Sequence, residues 1–302
     1  MTVNTIELKY PEYPFTPILG WSISRHEVFD KCRRQYFYQY YSKYITDVPQ
    51  YKVSKLKGLT SVPLEIGNAV HDCMEALLNR LQKSDSRIDE EKFFQFAADK
   101  LKEYFSTKSF IEIYYKQEDA LDIGAAGEKV RACLSNFIDG PCYSWLYMKA
   151  MTNRTGWMIE PAGYGETRLD GMKAYCKMDF LFPVGEDVYI LDWKTGAKDQ
   201  AKHAAQLMGY AAAANSNFSI PWNMIFPKIV YLYPRYDELE IKFSENDLAA
   251  YFQTIREQTE AMYALCDNVE QNIPRDMSEF AKSPSPHLCR NCRFQELCGY
   301  GE

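Results

Sequence analysis

The sequence predicts an α/β fold in which a strand–strand–helix–strand heart is wrapped by helices. Three observations carry this. From Leu64 onward apolar residues recur at helical spacing, with Val70, Met74, Leu77 and Leu81 forming one stripe. Beyond Trp157 short β-prone runs take over: Tyr175–Phe182 and Val188–Trp193, joined by a Pro-Val-Gly-Glu-Asp turn that reads as a hairpin. An Ala-rich segment, Gln200–Asn215, then supplies a helix able to approach a sheet closely. A chain of 302 residues with 46% hydrophobic content is long enough for one large core plus a helical elaboration.

Residues 1–22 are rich in Pro and aromatics and read as irregular. Ser24 and Glu27 have S-x-x-E spacing, which predicts a capped helix from Ser24 to about Tyr41. Residues 46–63 read as a loop or short lid, and further helices are expected over 89–105 and 126–138. In the second half, Ile229–Tyr233 is a strand and Leu239–Phe243 its candidate partner. Ser244, with Asp247 three residues on, caps a helix running to about Cys266. The tail, 270–302, is Pro- and Cys-rich and too poor in apolar residues to fold by burial alone. The expected divisions are 1–63, 64–156 with the helices, 157–266 with the sheet, and 267–302.

Net charge is -6, from Lys+Arg 35 against Asp+Glu 41. That balance does not mark a nucleic-acid binder, but a local basic groove can sit on an acidic protein. No apolar run of about 18 residues suggests a membrane span. Met1–Tyr10 lacks the pattern of a secretory signal, so a cytoplasmic location is expected. The nine cysteines are an odd number, which argues against a disulfide framework and suits a reducing compartment. No G-x-x-x-x-G-K-[ST] run is present, so the chain is not itself a helicase.

The motif with most chemical content is Ile190-Leu191-Asp192-Trp193-Lys194-Thr195-Gly196. Residues two apart in a strand share a face, so Asp192 and Lys194 point together, with Val188 and Ile190 behind them and Trp193 turned into a core. A carboxylate offers hard oxygen to Mg²⁺ or Mn²⁺. A neighbouring ammonium can orient a water or stabilise charge on a phosphate. Hairpin pairing would bring Asp179 beside Asp192, and Asp170 is its rival. His71, in Gly67-Asn68-Ala69-Val70-His71, offers a nitrogen ligand; Glu75 one turn on is placed to orient it, and Gly67 permits close backbone approach. Gln206 and Tyr210 share a face of the following helix.

A second constellation is Cys289-x-x-Cys292-x₅-Cys298. It gives three soft ligands where zinc or a [4Fe-4S] cluster needs four. His287 is a local fourth candidate. Cys32, flanked by Lys31, Arg33 and Arg34, is a distant one. Residue chemistry alone leaves zinc and iron both open.

Taken in order, Gly67–His71, Asp179, Asp192–Lys194 and Gln206–Tyr210 resemble the G-x-x-x-H, Asp, D/E-x-K and Q-x-x-x-Y motifs of the RecB-like branch of the PD-(D/E)xK nuclease superfamily. The resemblance spans roughly 20–300. It implies a restriction-endonuclease-like mixed sheet, and a divalent ion held by His71, Asp179, Asp192 and the backbone carbonyl of Trp193. It also implies catalysis by Lys194, and contact with or positioning of DNA by Gln206 and Tyr210. Arg33 and Arg34, together with Arg25, are candidates to guide the DNA backbone. Cys32, Cys289, Cys292 and Cys298 resemble the one-plus-three cysteine pattern of the CRISPR-adaptation exonucleases and AddB-type subunits, which implies a structural [4Fe-4S] cluster pinning the tail. The implied activity is Mg²⁺- or Mn²⁺-dependent cleavage of single-stranded DNA ends. A helicase or CRISPR-adaptation protein is an implied partner. A non-catalytic or partner-activated DNA-binding subunit is the alternative.

Overall fold

The computed structural model describes residues 8–160 and 165–299. The N-terminal ends of the first segment, 1–63, and the C-terminal end of the last, 267–302, therefore lie partly outside the described residues. The heart is a five-stranded mixed sheet. Its strands are β1 (Met158–Ile159), β4 (Phe180–Val184), β5 (Asp187–Lys194), β6 (Ile225–Tyr231) and β7 (Asp237–Glu240), in that spatial order. A side hairpin, β2 (Glu166–Leu169) and β3 (Met172–Tyr175), stands apart from it. Neighbouring strands are antiparallel except β5 and β6, which are parallel. A parallel pair needs a crossover, and the helix Gln200–Phe218 provides it.

The expected strand Tyr175–Phe182 is broken: 172–175 belongs to the side hairpin, 176–179 is irregular, and pairing with β5 starts at Phe180. Pro183 and Val184 lie inside β4, so the turn is only Gly185–Glu186, with Gly185 at φ +65°. Glycine accepts that left-handed conformation without steric cost. The later strands begin earlier than expected, at Ile225 and Asp237.

Strand alternation divides the apolar residues between two cores. Val188 and Ile190 of β5 face the Ala-rich crossover helix, where Ala211–Ala214 are fully buried and let it lie against the sheet. Leu191 and Trp193 face the other way, with Phe180 and Phe182 of β4. That second core is completed by helices α3 (Val62–Lys83), α4 (Glu90–Thr107) and α5 (Ile123–Ile138). The Trp193 ring meets Phe137 of α5 edge-to-face at 5.2 Å, a favoured aromatic geometry.

The expected single helix from Ser24 to Tyr41 is two: α1 (Ile23–Lys31) and α2 (Arg33–Tyr40). The N-cap of α1 is Ser22, not Ser24; its hydroxyl accepts the Arg25 N–H at 3.1 Å. Cys32 breaks the run with φ −161° and ψ 107°, and its sulfur accepts the Gln35 N–H, so the thiol itself caps α2. The supposed lid contains a helix, Gln50–Lys57. Ser244 and Asp247 form a reciprocal capping box at the start of Glu245–Tyr263, as the sequence predicts. The tail holds more core than expected. Phe280 and Phe294 are fully buried in the first cluster, against Phe37 and Tyr38 of α2. No helix among the described residues is long and apolar enough to cross a membrane.

Candidate active site

The site lies where β4, the C-terminal end of β5 and helix α3 meet. Asp192, buried at 2% exposure, is its centre. Its Oδ1 accepts hydrogen bonds from the Tyr210 hydroxyl and from Gln206 Nε2 at 3.1 Å. Gln206 Nε2 also donates to the Tyr210 oxygen at 2.6 Å. Lys194 Nζ is 2.6 Å from Asp192 Oδ2. The contact is an ion pair without hydrogen-bond alignment, and Oδ2 has no hydrogen-bond donor besides that ammonium. A buried carboxylate oxygen normally has a partner, so here Lys194 alone offsets its charge.

His71, near the middle of α3, turns Nδ1 toward Glu160 Oε1 at 3.2 Å and Asp179 Oδ2 at 3.5 Å. The ligand atoms of His71, Glu160 and Asp179 lie within 4.8 Å of one another, and no cysteine triplet among the described residues gathers as closely. Asp179 is fixed by the Trp193 N–H, which donates to Oδ2 at 2.9 Å. Asp179 stands one residue before β4 rather than within a strand. Its rival Asp170 sits at the tip of the side hairpin, paired with Arg256, away from the site.

Burial and the neighbouring Asp192 charge push the Asp179 carboxyl up to about 7, against a lowering by His71. Burial pulls the His71 imidazole down, but Asp179, Glu160 and Asp192 outweigh it and lift it to about 9. The Glu160 carboxyl, penalised by burial, is nonetheless held low by hydrogen bonds to His71 and Lys177. Three carboxylates thus crowd one pocket, and burial with the Asp192 charge keeps Asp179 from ionising readily, a condition that a divalent ion relieves.

These shifts set a pH dependence. A cation takes the neutral imidazole and the ionised carboxylate, whereas both groups hold protons below about 7. Binding therefore releases protons, and Mg²⁺ affinity is expected to rise between about pH 6 and 9 by about tenfold per unit for each proton displaced. Calorimetric titration in two buffers of different ionisation enthalpy counts those protons. An affinity that is flat over this range contradicts the assignment.

Several placements differ from expectation. Glu160, not Glu75, is the carboxylate on His71 Nδ1. The motif spacing passed over Glu160 because it lies just after a two-residue strand, at φ +37°. The available signal was pairing: β1 is antiparallel to β4, and the Glu160 N–H donates to the Asp179 carbonyl at 2.8 Å. Gly67 is not forced by crowding, since a Cβ there would meet Thr195 Oγ1 at an ordinary 3.6 Å. Tyr210 and Gln206, expected to contact or position DNA, both donate to Asp192 and both line a groove of about 590 Å³ that opens beside Lys194. Arg33 is exposed over the Phe29 ring at 5.1 Å. Arg34 Nε donates to the Phe280 carbonyl at 2.9 Å, which ties it to the tail.

Four of the cysteines gather apart from these residues. Cys32, Cys289, Cys292 and Cys298 line one small cavity with Gln35, Tyr38 and Gln295, while His287 is exposed outside it. The sulfurs of Cys32, Cys289 and Cys292 each accept a backbone N–H at 3.4 Å, from Gln35, Ser285 and Phe294. Burial, reinforced by the other three sulfurs and opposed by the Phe294 N–H, pushes the Cys292 thiol up to about 11. A metal bound at the Cys292 sulfur would displace that proton. Cys73, Cys133, Cys142, Cys176 and Cys266 are buried and dispersed.

No curated protein matches the chain. A solved structure described as "Crystal structure of SSO0001" is similar at 20% identity with a TM-score of 0.30, covering 67% of this chain and 81% of that one. That likeness is too loose to bear on the site. The family model for the PD-(D/E)XK nuclease superfamily matches residues 20–299, which takes in the sheet, the carboxylate–lysine centre and the tail cysteines. The chain belongs to the PD-(D/E)XK nuclease superfamily.

Proposed function

We propose that this chain is a Mg²⁺- or Mn²⁺-dependent deoxyribonuclease that degrades single-stranded DNA from its ends and carries a structural [4Fe-4S] cluster. The observation that carries the reading is the buried Asp192 carboxylate in ion-pair contact with Lys194 beside the His71–Glu160–Asp179 triad. These residues fit a hard cation: oxygen donors dominate, and one imidazole completes the set. His71, Asp179, Asp192 and the Trp193 carbonyl would hold it, with Glu160 added. A bound divalent ion supplies a Lewis acid for the phosphoryl oxygen and water of lowered pKa. Tyr210 and Gln206 hold Asp192 in one orientation, so its other oxygen keeps its aim. Lys194 places an ammonium where negative charge grows on the phosphate during displacement. The preference for ends of single strands rests on the RecB-like motif order and on the Tyr40 and Tyr175 rings in the groove, which suit unpaired bases.

The choice of iron over zinc rests on the likeness of Cys32, Cys289, Cys292 and Cys298 to the one-plus-three cysteine pattern, and the four line one cavity that could hold either. A cluster there would join α2 to the tail across nearly the whole chain.

Anaerobically purified protein assayed on 5′- and 3′-labelled single-stranded DNA tests the activity. Mg²⁺ or Mn²⁺ is expected to support progressive shortening from an end, EDTA to stop it, and circular single strands to resist. No cleavage by iron-loaded protein with either ion contradicts the proposal.

A further inference from the structure

The groove beside Lys194 is lined on one wall by cations that the centre described above does not use. Lys177, Arg25 and Lys202 line it with Lys194, and Glu27 is the one acid among its lining residues. Lys202 is paired with that acid at 2.8 Å. Arg25 lies with its guanidinium 4.6 Å from the Tyr40 ring centre and 5.5 Å from that of Tyr175. It donates to the Gly20 carbonyl through Nη1, while its buried Nε has no acceptor. Lys177 is placed differently from the rest. Its Nζ is 2.8 Å from Glu160 Oε2, and the other oxygen of that same carboxylate faces His71. Its side chain is nevertheless 50% exposed. Glu160 therefore stands between the imidazole and Lys177 as Asp192 stands beside Lys194. The two ammoniums flank the carboxylate cluster, and both reach the groove.

Given the nuclease activity proposed above, we propose that Lys177 is a substrate-binding residue that takes a backbone phosphate of the DNA strand entering this groove, with Arg25 taking a phosphate further along. The chemistry favours phosphate over base. An ammonium is a compact point charge with three donors and no base-reading geometry. Its pairing with Glu160 does not prevent this. A half-exposed ion pair is worth little, and Glu160 has both His71 and Lys177 to draw on while a cation at the triad would take over its charge. Arg25 adds a second cation to the same groove.

The test is binding of a fluorescein-labelled oligo-dT strand, followed by anisotropy in Ca²⁺ across a salt series, with wild type, Lys177→Gln and Lys177→Arg. Each phosphate contact contributes about 0.7 to the slope of log affinity against log salt for single strands. Lys177→Gln is expected to reduce that slope by about 0.7 and to weaken binding several-fold at about 0.1 M salt. Lys177→Arg should keep the slope, and Mn²⁺ affinity measured without DNA should stay within about twofold in both variants. An unchanged slope in Lys177→Gln, with Mn²⁺ affinity lost, overturns the proposal: Lys177 would then act only on Glu160. A wild-type protein that neither binds nor cuts the strand overturns the nuclease reading itself, a result distinct from loss in the variant alone.

Discussion

Asp192→Asn is expected to lower DNA cleavage by at least about a thousandfold, roughly 4 kcal/mol of transition-state stabilisation, while leaving the protein folded. The loss follows from geometry. One oxygen of Asp192 is committed to Tyr210 and Gln206. The other is in ion-pair contact with Lys194. An amide at this position must put its NH₂ against either the two donors or the ammonium, so neither arrangement reproduces the site. The effect on stability is smaller because two changes oppose each other. The ion pair with Lys194 is lost, but the Asp192 charge that adds to burial in raising the Asp179 carboxyl is removed. A net change near 1 kcal/mol corresponds to a shift in Tm of about 2–4 °C for a chain this large. Steady-state cleavage and a thermal melt on the same preparation separate the two outcomes. Cleavage retained within tenfold contradicts the central role of Asp192.

Cys298→Ser is expected to remove the brown chromophore and lower Tm by about 10 °C. Cross-linking a loop of about a hundred residues is worth about 4.7 kcal/mol in the chain-entropy model. Each kcal/mol is about 2–4 °C here. Cys32 and the tail are separated by nearly the whole sequence, so the linkage closes a long loop. The damage is expected to be graded along the tail. Phe280 is buried among Tyr36, Phe37 and Tyr41, and the Arg34 N–H and Nε hold the carbonyls of Ala281 and Phe280. That part should stay docked. Residues around 285–298 have Phe294 as their buried anchor, with the Tyr38 hydroxyl on the Leu297 carbonyl at 2.8 Å and Arg293 on the Lys57 carbonyl at 2.7 Å. They should gain hydrogen-exchange rate on loss of the cluster. Stoichiometric zinc without iron in anaerobic protein contradicts the cluster assignment.

Much of the site was legible because strand chemistry has a short period. Asp192 and Lys194 share a face at spacing two, and Trp193 between them enters the opposite core. Asp179 followed from the hairpin, although β4 starts five residues into the β-prone run, at Phe180, and leaves Asp179 just outside the strand. Helix periodicity located α3 with its buried stripe and the capping box at Ser244. His71 became a candidate only through the order of motifs, since one histidine on a helix carries no periodic signal. Glu160 was hidden for a physical reason. Its neighbours in the cluster, His71 and Asp179, come from two other segments, and it follows a strand only two residues long, so no local pattern marks it. The break at Cys32 was hidden for another. Ser24 and Glu27 imitate a capping box, and no Pro or Gly interrupts the run. What ends α1 is a thiol turned toward a tail nearly the whole chain away, which is tertiary information. The roles of Tyr210 and Gln206 were similarly tertiary: their shared helix face was visible, but not that the face meets Asp192.

The most direct test of the account is where a divalent ion binds. Crystals of anaerobic protein grown with Mn²⁺ and measured at the manganese absorption edge should show anomalous density in contact with His71, Glu160, Asp179 and Oδ2 of Asp192. That density should disappear in Glu160→Gln crystals grown at the same Mn²⁺ concentration. Density elsewhere on the chain, or an empty pocket at Mn²⁺ concentrations that support DNA cleavage, contradicts the account.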